Sequence, residues 1–195
     1  MSRTEIFGFD KEGNAYWEAD IGNAFRGGMA IWSILEERYL PPHRPSYVPA
    51  WIPDSQIERH LGYKPFRCCD MRNENGMKEI WALADSEKTS LADKIVLMTT
   101  FDKVLVKKED LPKVIEVFET FEGETSLKEQ ALVLRRMYDD ENCIAVGWNQ
   151  TSVNADTWTT FGGYDEEKEE YIPYNCLKQN EHYWIFDEIK EKPGS

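Results

Sequence analysis

Residues 103–148 constrain the fold of this chain more than any other stretch. Val104, Leu105 and Val106 make a short apolar strand. Pro112 then stands at a first-turn position, where its missing N–H costs nothing, and Leu111, Val114, Ile115, Phe118 and Phe121 recur at helical spacing. Gly123 is placed to stop that helix. Ser126 and Glu129 have the spacing of a capping box for a second helix, whose apolar face is Leu127, Ala131, Leu134, Met137 and Tyr138. The stretch closes on the strand Cys143-Ile144-Ala145-Val146-Gly147-Trp148. One face of that strand offers Ile144, Val146 and Trp148. The other offers only Cys143, Ala145 and Gly147, so that a neighbouring element can approach closely. Such a strand–helix–helix–strand unit buries its apolar faces in a sheet covered by helices.

The flanks extend this picture. Residues 4–19 read as a β-hairpin, with Ile6, Phe7 and Phe9 on one arm and Tyr16 and Trp17 on the other. Asp10-Lys11-Glu12-Gly13 suits a type I turn followed by a left-handed glycine. Asn23 is expected to cap a helix reaching Tyr39 and burying Phe25, Met29, Trp32, Leu35 and Tyr39, with something packed closely on Gly27-Gly28. Five prolines within 41–53 read as an extended strap lying over the core by Tyr47, Val48, Trp51 and Ile52, and mark the best boundary between subregions. Asp54 opens a short helix that stops near Gly62, and residues 63–76 read as irregular. Met77, Ile80, Trp81 and Ala84 indicate a helix, and Ser90 with Asp93 opens another through Leu91, Ile95 and Met98. A second hairpin is expected around the acidic tip 165–170, and Asn180 is placed to cap a final helix with Tyr183, Phe186 and Ile189. The expected fold is one α+β domain over residues 1–195. Its sheet is mixed or mostly antiparallel, built from the two hairpins plus the strands at 103–107 and 143–148, with helices packed mainly on one face.

Charge bounds the function. The net charge is −13, and residues 101–195 carry 11 Lys/Arg against 21 Asp/Glu. That balance repels nucleic acid and anionic membranes, and it favours a basic protein partner or simple solubility. No stretch has the apolar run of a membrane helix, and the polar start lacks a secretory signal, so a reducing cytosol is expected. Cys68, Cys69, Cys143 and Cys176 match no zinc spacing and make a poor disulfide framework. His43, His60 and His182 stand far apart, and phosphate-loop, nucleophile-elbow and dinucleotide motifs are missing. No catalytic residue, metal or cofactor is therefore assigned.

One cluster has the character of a binding loop. After Trp148 the chain turns polar through Asn149, Gln150, Thr151, Ser152, Asn154, Asp156 and Thr157, and closes on Trp158. Amides and hydroxyls can hydrogen-bond a ligand while flanking indoles stack on a ring or sugar. The same residues can instead close turns through their own backbone, with the indoles as core anchors. Trp148, Asn149, Gln150, Thr151, Asn154, Asp156 and Trp158 are the candidate ligand-binding residues. Arg26 joins them as an anion holder if the fold brings it near.

Four segments carry a resemblance: MSRTEIFGFDKEGNAY with NAFRGGMAIWSILEERYLPP, TTFDKVLVKKEDLPKVIEVFETFEGETSLKEQ, and AVGWNQTSVNADTW. They resemble a group of uncharacterised proteins encoded by phages and prophages of Gram-positive bacteria. The resemblance covers most of the chain and implies a cytoplasmic accessory protein of a mobile element, but no activity. Three functions follow as expectations: a non-enzymatic interaction protein with a host or phage protein partner, a nucleotide- or sugar-like ligand binder or enzyme using the 148–158 loop, and a nucleic-acid mimic.

Overall fold

The computed structural model describes residues 3–40, 51–53, 55–56, 59, 74–150, 158, 162–172 and 174–189. The hairpin opens the fold as expected. Strand β1 (Arg3–Phe9) runs antiparallel to β2 (Ala15–Gly22). Gly13 takes φ +85°, its N–H donates to the Asp10 carbonyl at 2.9 Å, and the Asn14 N–H donates to Asp10 Oδ1 at 2.8 Å. A bulge at Glu18 shifts the register, so that Ile6 faces Ala19 while Phe7 faces Trp17.

The unit from 103 to 148 forms the centre. Strand β3 (Val104–Lys107) and strand β4 (Ala145–Gln150) pair antiparallel, and β4 pairs on its other edge with β1. Two further strands, β5 (Tyr164–Asp165) and β6 (Glu170–Tyr171), form a sheet of their own. The fifth strand of the main sheet is β7 (Tyr183–Trp184), parallel to β3, giving the order β2-β1-β4-β3-β7. The sheet is therefore mixed, but the second hairpin stands outside it. The last helix also begins later than Asn180 suggests, because Tyr183 N–H is drawn to the Lys103 carbonyl at 2.9 Å.

The helices are α1 (Gly28–Tyr39), α2 (Glu74–Trp81) with a 3₁₀ turn at Ala82–Ala84, α3 (Leu91–Met98), α4 (Leu111–Thr120), α5 (Leu127–Asp139), α6 (Cys176–Gln179) and α7 (Ile185–Glu188). Most of them cover one face of the sheet. There Ile6, Val106, Val146 and Trp148 meet Trp32, Leu35, Ile95, Phe118 and Leu134 in one buried core. The opposite face has a smaller core, in which Phe7, Phe9, Ala15, Leu105 and Ala145 meet Trp158 and Cys176.

Local capping departs from the sequence pattern in three places. Ser90 Oγ accepts from the Asp93 N–H at 3.1 Å as expected, but the Ser126 hydroxyl makes no cap bond and instead accepts from Gln130 Nε2 at 3.1 Å. Helix α4 stops at Thr120, and Gly123 (φ +131°) turns the chain two residues beyond the extended Phe121. Asn175, not Asn180, caps the C-terminal turn, accepting from the Lys178 N–H at 2.8 Å. The same Asn175 donates to the Glu12 carbonyl, and the Cys176 N–H donates to the Gly13 carbonyl at 2.8 Å. The first hairpin turn is thus the seat of α6. Of the strap, Trp51 is exposed rather than laid on the core; Tyr47 and Val48 lie outside the described residues.

Cys143 is the small buried residue its pattern indicates. Burial raises its thiol above the ordinary 9.0, against the opposing effect of the Tyr16 hydroxyl. Burial, and then the Cys143 thiol and Asp140, raise Tyr16 above its ordinary 10.0. Both groups are neutral in the folded chain, and the unfolded chain loses these protons first. Their contribution is therefore full below the ordinary values and is lost progressively as pH rises from those values through the raised ones. The expected result is a thermal midpoint that falls above about pH 9, and less steeply in Tyr16→Phe. Equal slopes in the two chains would count against this assignment.

Candidate functional site

The register of β4 decides what each residue of the polar stretch can do. Trp148 lies opposite Ile6 and so faces the helices. Its ring sits 6.2 Å from that of Phe118, and its indole N–H donates to Gln130 Oε1 at 3.1 Å. Gly147 lies opposite Phe7 and so faces the other core. Trp158 returns across that glycine: a β-carbon there would stand 2.9 Å from Trp158 Cζ2 and 2.7 Å from Leu105 Cδ2. The Trp158 ring meets Phe9 edge-on at 5.1 Å, and its N–H donates to the Trp148 carbonyl at 3.1 Å. The small face of the strand is thus the seat of an indole. The two tryptophans lie in cores on opposite faces of the sheet, which separates them as walls of one pocket.

Asn149 lies opposite Glu5 and donates to its Oε2 at 2.8 Å. Gln150 lies opposite Thr4, turned to the helical side. The Thr4 hydroxyl is 2.8 Å from Gln150 Oε1 and 2.9 Å from Asn23 Oδ1, and its single proton can be donated to one of them. All three side chains are buried. Thr151, Asn154 and Asp156 lie outside the described residues.

This buried amide cluster supports the turn that leads into α1. Asn23 does not cap the helix, which begins at Gly28 with no side-chain cap. A β-carbon on Gly27 would stand 2.3 Å from Asn23 Nδ2, and one on Gly28 would stand 3.7 Å from Gln150 Oε1 and 3.6 Å from Thr100 Cβ. The close packing expected at the glycine pair is therefore with Asn23, Gln150 and Thr100. Thr100 Oγ1 in turn accepts from Trp32 Nε1 at 2.7 Å.

Arg26 is brought to the same end of the sheet, but its charge is engaged. Its Nη1 is 2.6 Å from Glu129 Oε1, and its carbonyl accepts from the Ser126 N–H at 2.8 Å. The Arg26 N–H donates to the Asn23 carbonyl at 2.6 Å. Between these anchors the backbone turns left-handed at two successive non-glycine residues, Ala24 (φ +41°) and Phe25 (φ +71°). Each costs about 1–2 kcal/mol. Phe25 is 100% exposed, and Met29 one turn later is 42% exposed.

Phe25 is the residue that helical spacing misplaces. The series Phe25, Met29, Trp32, Leu35 puts it in the core, yet the helix does not reach back past Gly28. The pair Gly27-Gly28 is the signal that could have found the break. The surrounding bonds hold this strained turn in place and leave the Phe25 ring in solvent.

A concavity of about 400 Å³ lies between α4 and α5, lined by Pro112, Ile115, Glu116, Glu119, Arg135, Tyr138 and Asp139. Its guanidinium grips Glu119 through Nε and Nη2 at 2.7–2.9 Å, which leaves acids as the remaining charged lining. Among the described residues no three or more His, Cys, Asp or Glu side chains are grouped to hold a metal ion, and no helix is long and apolar enough to cross a membrane. Cys68, Cys69, His43 and His60 lie outside the described residues. Comparison with known proteins finds no matching family model, no matching curated protein and no matching solved structure.

Proposed function

We propose that this chain is a non-enzymatic, acidic accessory protein that binds a protein partner, with the turn at residues 23–28 as its contact. The observation that carries the reading is Phe25: fully exposed, left-handed in backbone, and held there by Asn23, Arg26, Ser126 and Glu129. A large aromatic on a rigid support loses little conformational entropy when it enters a partner's pocket, which is why such residues dominate binding energy. The partner surface that fits it is an apolar pocket with basic surroundings, given the net charge of −13. The likeness of four segments to phage and prophage proteins supports a host or phage protein as that partner, met in the bacterial cytosol. The alternative of a ligand-binding loop gains nothing from indoles that lie in separate cores.

The test is affinity capture from a Gram-positive bacterial lysate at low and moderate salt, with the full chain and with Phe25→Gly. The full chain is expected to retain a protein at both salts, and the variant to retain it about 30-fold less, the effect of a residue contributing ~2 kcal/mol. Recovery of nothing above the blank resin, or equal recovery by both chains, would overturn the reading.

A further inference from the structure

The outer edge of β3 is covered by residues 181–189, which hold to the sheet by little backbone. Strand β7 pairs with β3 over two residues, Val104 opposite Tyr183 and Leu105 opposite Trp184, and the helix α7 that follows is about one turn long. The Tyr183 N–H donates to the Lys103 carbonyl at 2.9 Å. The chain just before this segment is fixed independently, because α6 is seated on the first hairpin turn through Asn175 and Cys176. Asn180, extended at φ −94° and ψ 143°, is the point from which the segment departs.

Side chains supplement the short pairing, and they do so with one polarity. Lys103 Nζ lies 2.9 Å from Glu181 Oε2, and Lys107 Nζ lies 3.7 Å from Asp187 Oδ1. Lys107 also stands 5.5 Å from the centre of the Trp184 ring, and Lys113 stands 5.1 Å from that of Phe186. The cations all come from the body of the fold, and the acids and rings from the segment. Both ion pairs are exposed to solvent, so each is weak and is screened by salt. Beneath them Ile185 and Ile189 enter the helical-side core, and Trp184 packs on the smaller one. Few backbone bonds and exposed contacts are the marks of a region that opens ahead of the rest of a fold.

We infer that residues 181–189 form a salt-sensitive latch over the β3 edge, hinged at Asn180, which opens as a unit while the rest of the sheet stays paired. Opening bares one edge of Val104–Lys107, whose first three side chains are apolar and buried. An uncovered edge of that kind is a template for a strand of another chain. The latch makes no use of the Phe25 turn and stands whether or not that turn binds a partner.

The test is native-state hydrogen exchange of the full chain at fixed pH, in low salt and in about 0.5 M sodium chloride. The Tyr183 and Ile189 amides report the latch. The Lys108 and Ile144 amides, which donate to the carbonyls of Ile144 and Phe9 across the sheet, report the body. Tyr183 and Ile189 are expected to share one protection factor, lower than that of Lys108 and Ile144. Salt should lower it about threefold to tenfold. The body should be unchanged or better protected, because salt also screens the self-repulsion of a chain with net charge −13. Lys103→Met with Lys107→Met keeps the stems and removes the charges. It should lower the latch's protection in low salt and remove most of its response to salt. Lys88→Met with Lys128→Met, exposed lysines elsewhere, makes the same change in net charge and should leave the latch as it is. Equal protection of latch and body would overturn the proposal, as would unequal protection of Tyr183 and Ile189. So would a latch that salt does not loosen, or equal effects of the two lysine pairs.

Discussion

Replacing Trp148 by alanine is expected to lower the unfolding free energy by about 3–5 kcal/mol, among the largest effects a single truncation can have. Trp148 fills the space between β4 and the ring of Phe118, and it is among the largest fully buried side chains. Truncation opens a cavity and also strands Gln130, whose Oε1 accepts the indole N–H and whose Nε2 is held by Ser126. Trp148→Phe separates the two contributions. The phenyl ring refills most of the cavity while Gln130 still loses its donor, so a smaller cost of about 1–3 kcal/mol is expected. Urea unfolding followed by tryptophan fluorescence and by circular dichroism measures both. A cost below about 1 kcal/mol for the alanine variant would mean that Trp148 is not the keystone of the helical face.

Gly147→Val should be nearly as damaging for the opposite reason. A β-carbon at 147 would come within 2.7 Å of Leu105 and 2.9 Å of Trp158, both buried in the smaller core. Neither can withdraw without leaving its own contacts, so about 3 kcal/mol is expected from overpacking. The prediction becomes specific in combination. Trp158→Ala alone should be strongly destabilising, yet it empties the space that the valine needs. The double variant should therefore be more stable than the sum of the two losses implies, by about 1 kcal/mol or more. Strict additivity in urea unfolding would show that Trp158 does not lie over Gly147.

These two residues also show how much of the fold was legible in the chain. The alternation in 143–148 announced a strand with one large and one small face; it holds from Ala145 to Trp148, whereas Cys143 lies in the helical-side core and Ile144 packs on the smaller one, because the strand begins only at Ala145. It could not announce that the small face receives an indole from ten residues further on, because nothing local encodes that return. The helices at 111–120 and 127–139 were legible because their apolar spacing is long and regular. The C-terminal elements were not. Strands of two residues have no period, and β7 exists because Lys103 offers it a carbonyl across the chain.

The candidate site was legible in part. Trp148, Asn149, Gln150 and Trp158 are all used, but as anchors whose partners are Gln130, Glu5, Thr4 and β4 itself. Arg26 does come to the same end of the sheet as Gln150, and there its guanidinium meets Glu129. Phe25 was hidden because a helical pattern can be read through a pair of glycines, whereas the backbone breaks at them. Exposure of a large ring is a property of tertiary placement and leaves no mark in spacing.

The role of Phe25 is measured most directly by the thermal midpoint of Phe25→Gly alongside its capture by partner. If Phe25 is held left-handed for contact with another molecule, the fold gains nothing from the ring. Glycine relieves about 1–2 kcal/mol of backbone strain and costs about 0.5–1 kcal/mol in chain entropy. The midpoint is expected to be unchanged or raised by a few degrees, with capture lost. A midpoint lowered by several degrees, or capture that persists, would contradict it.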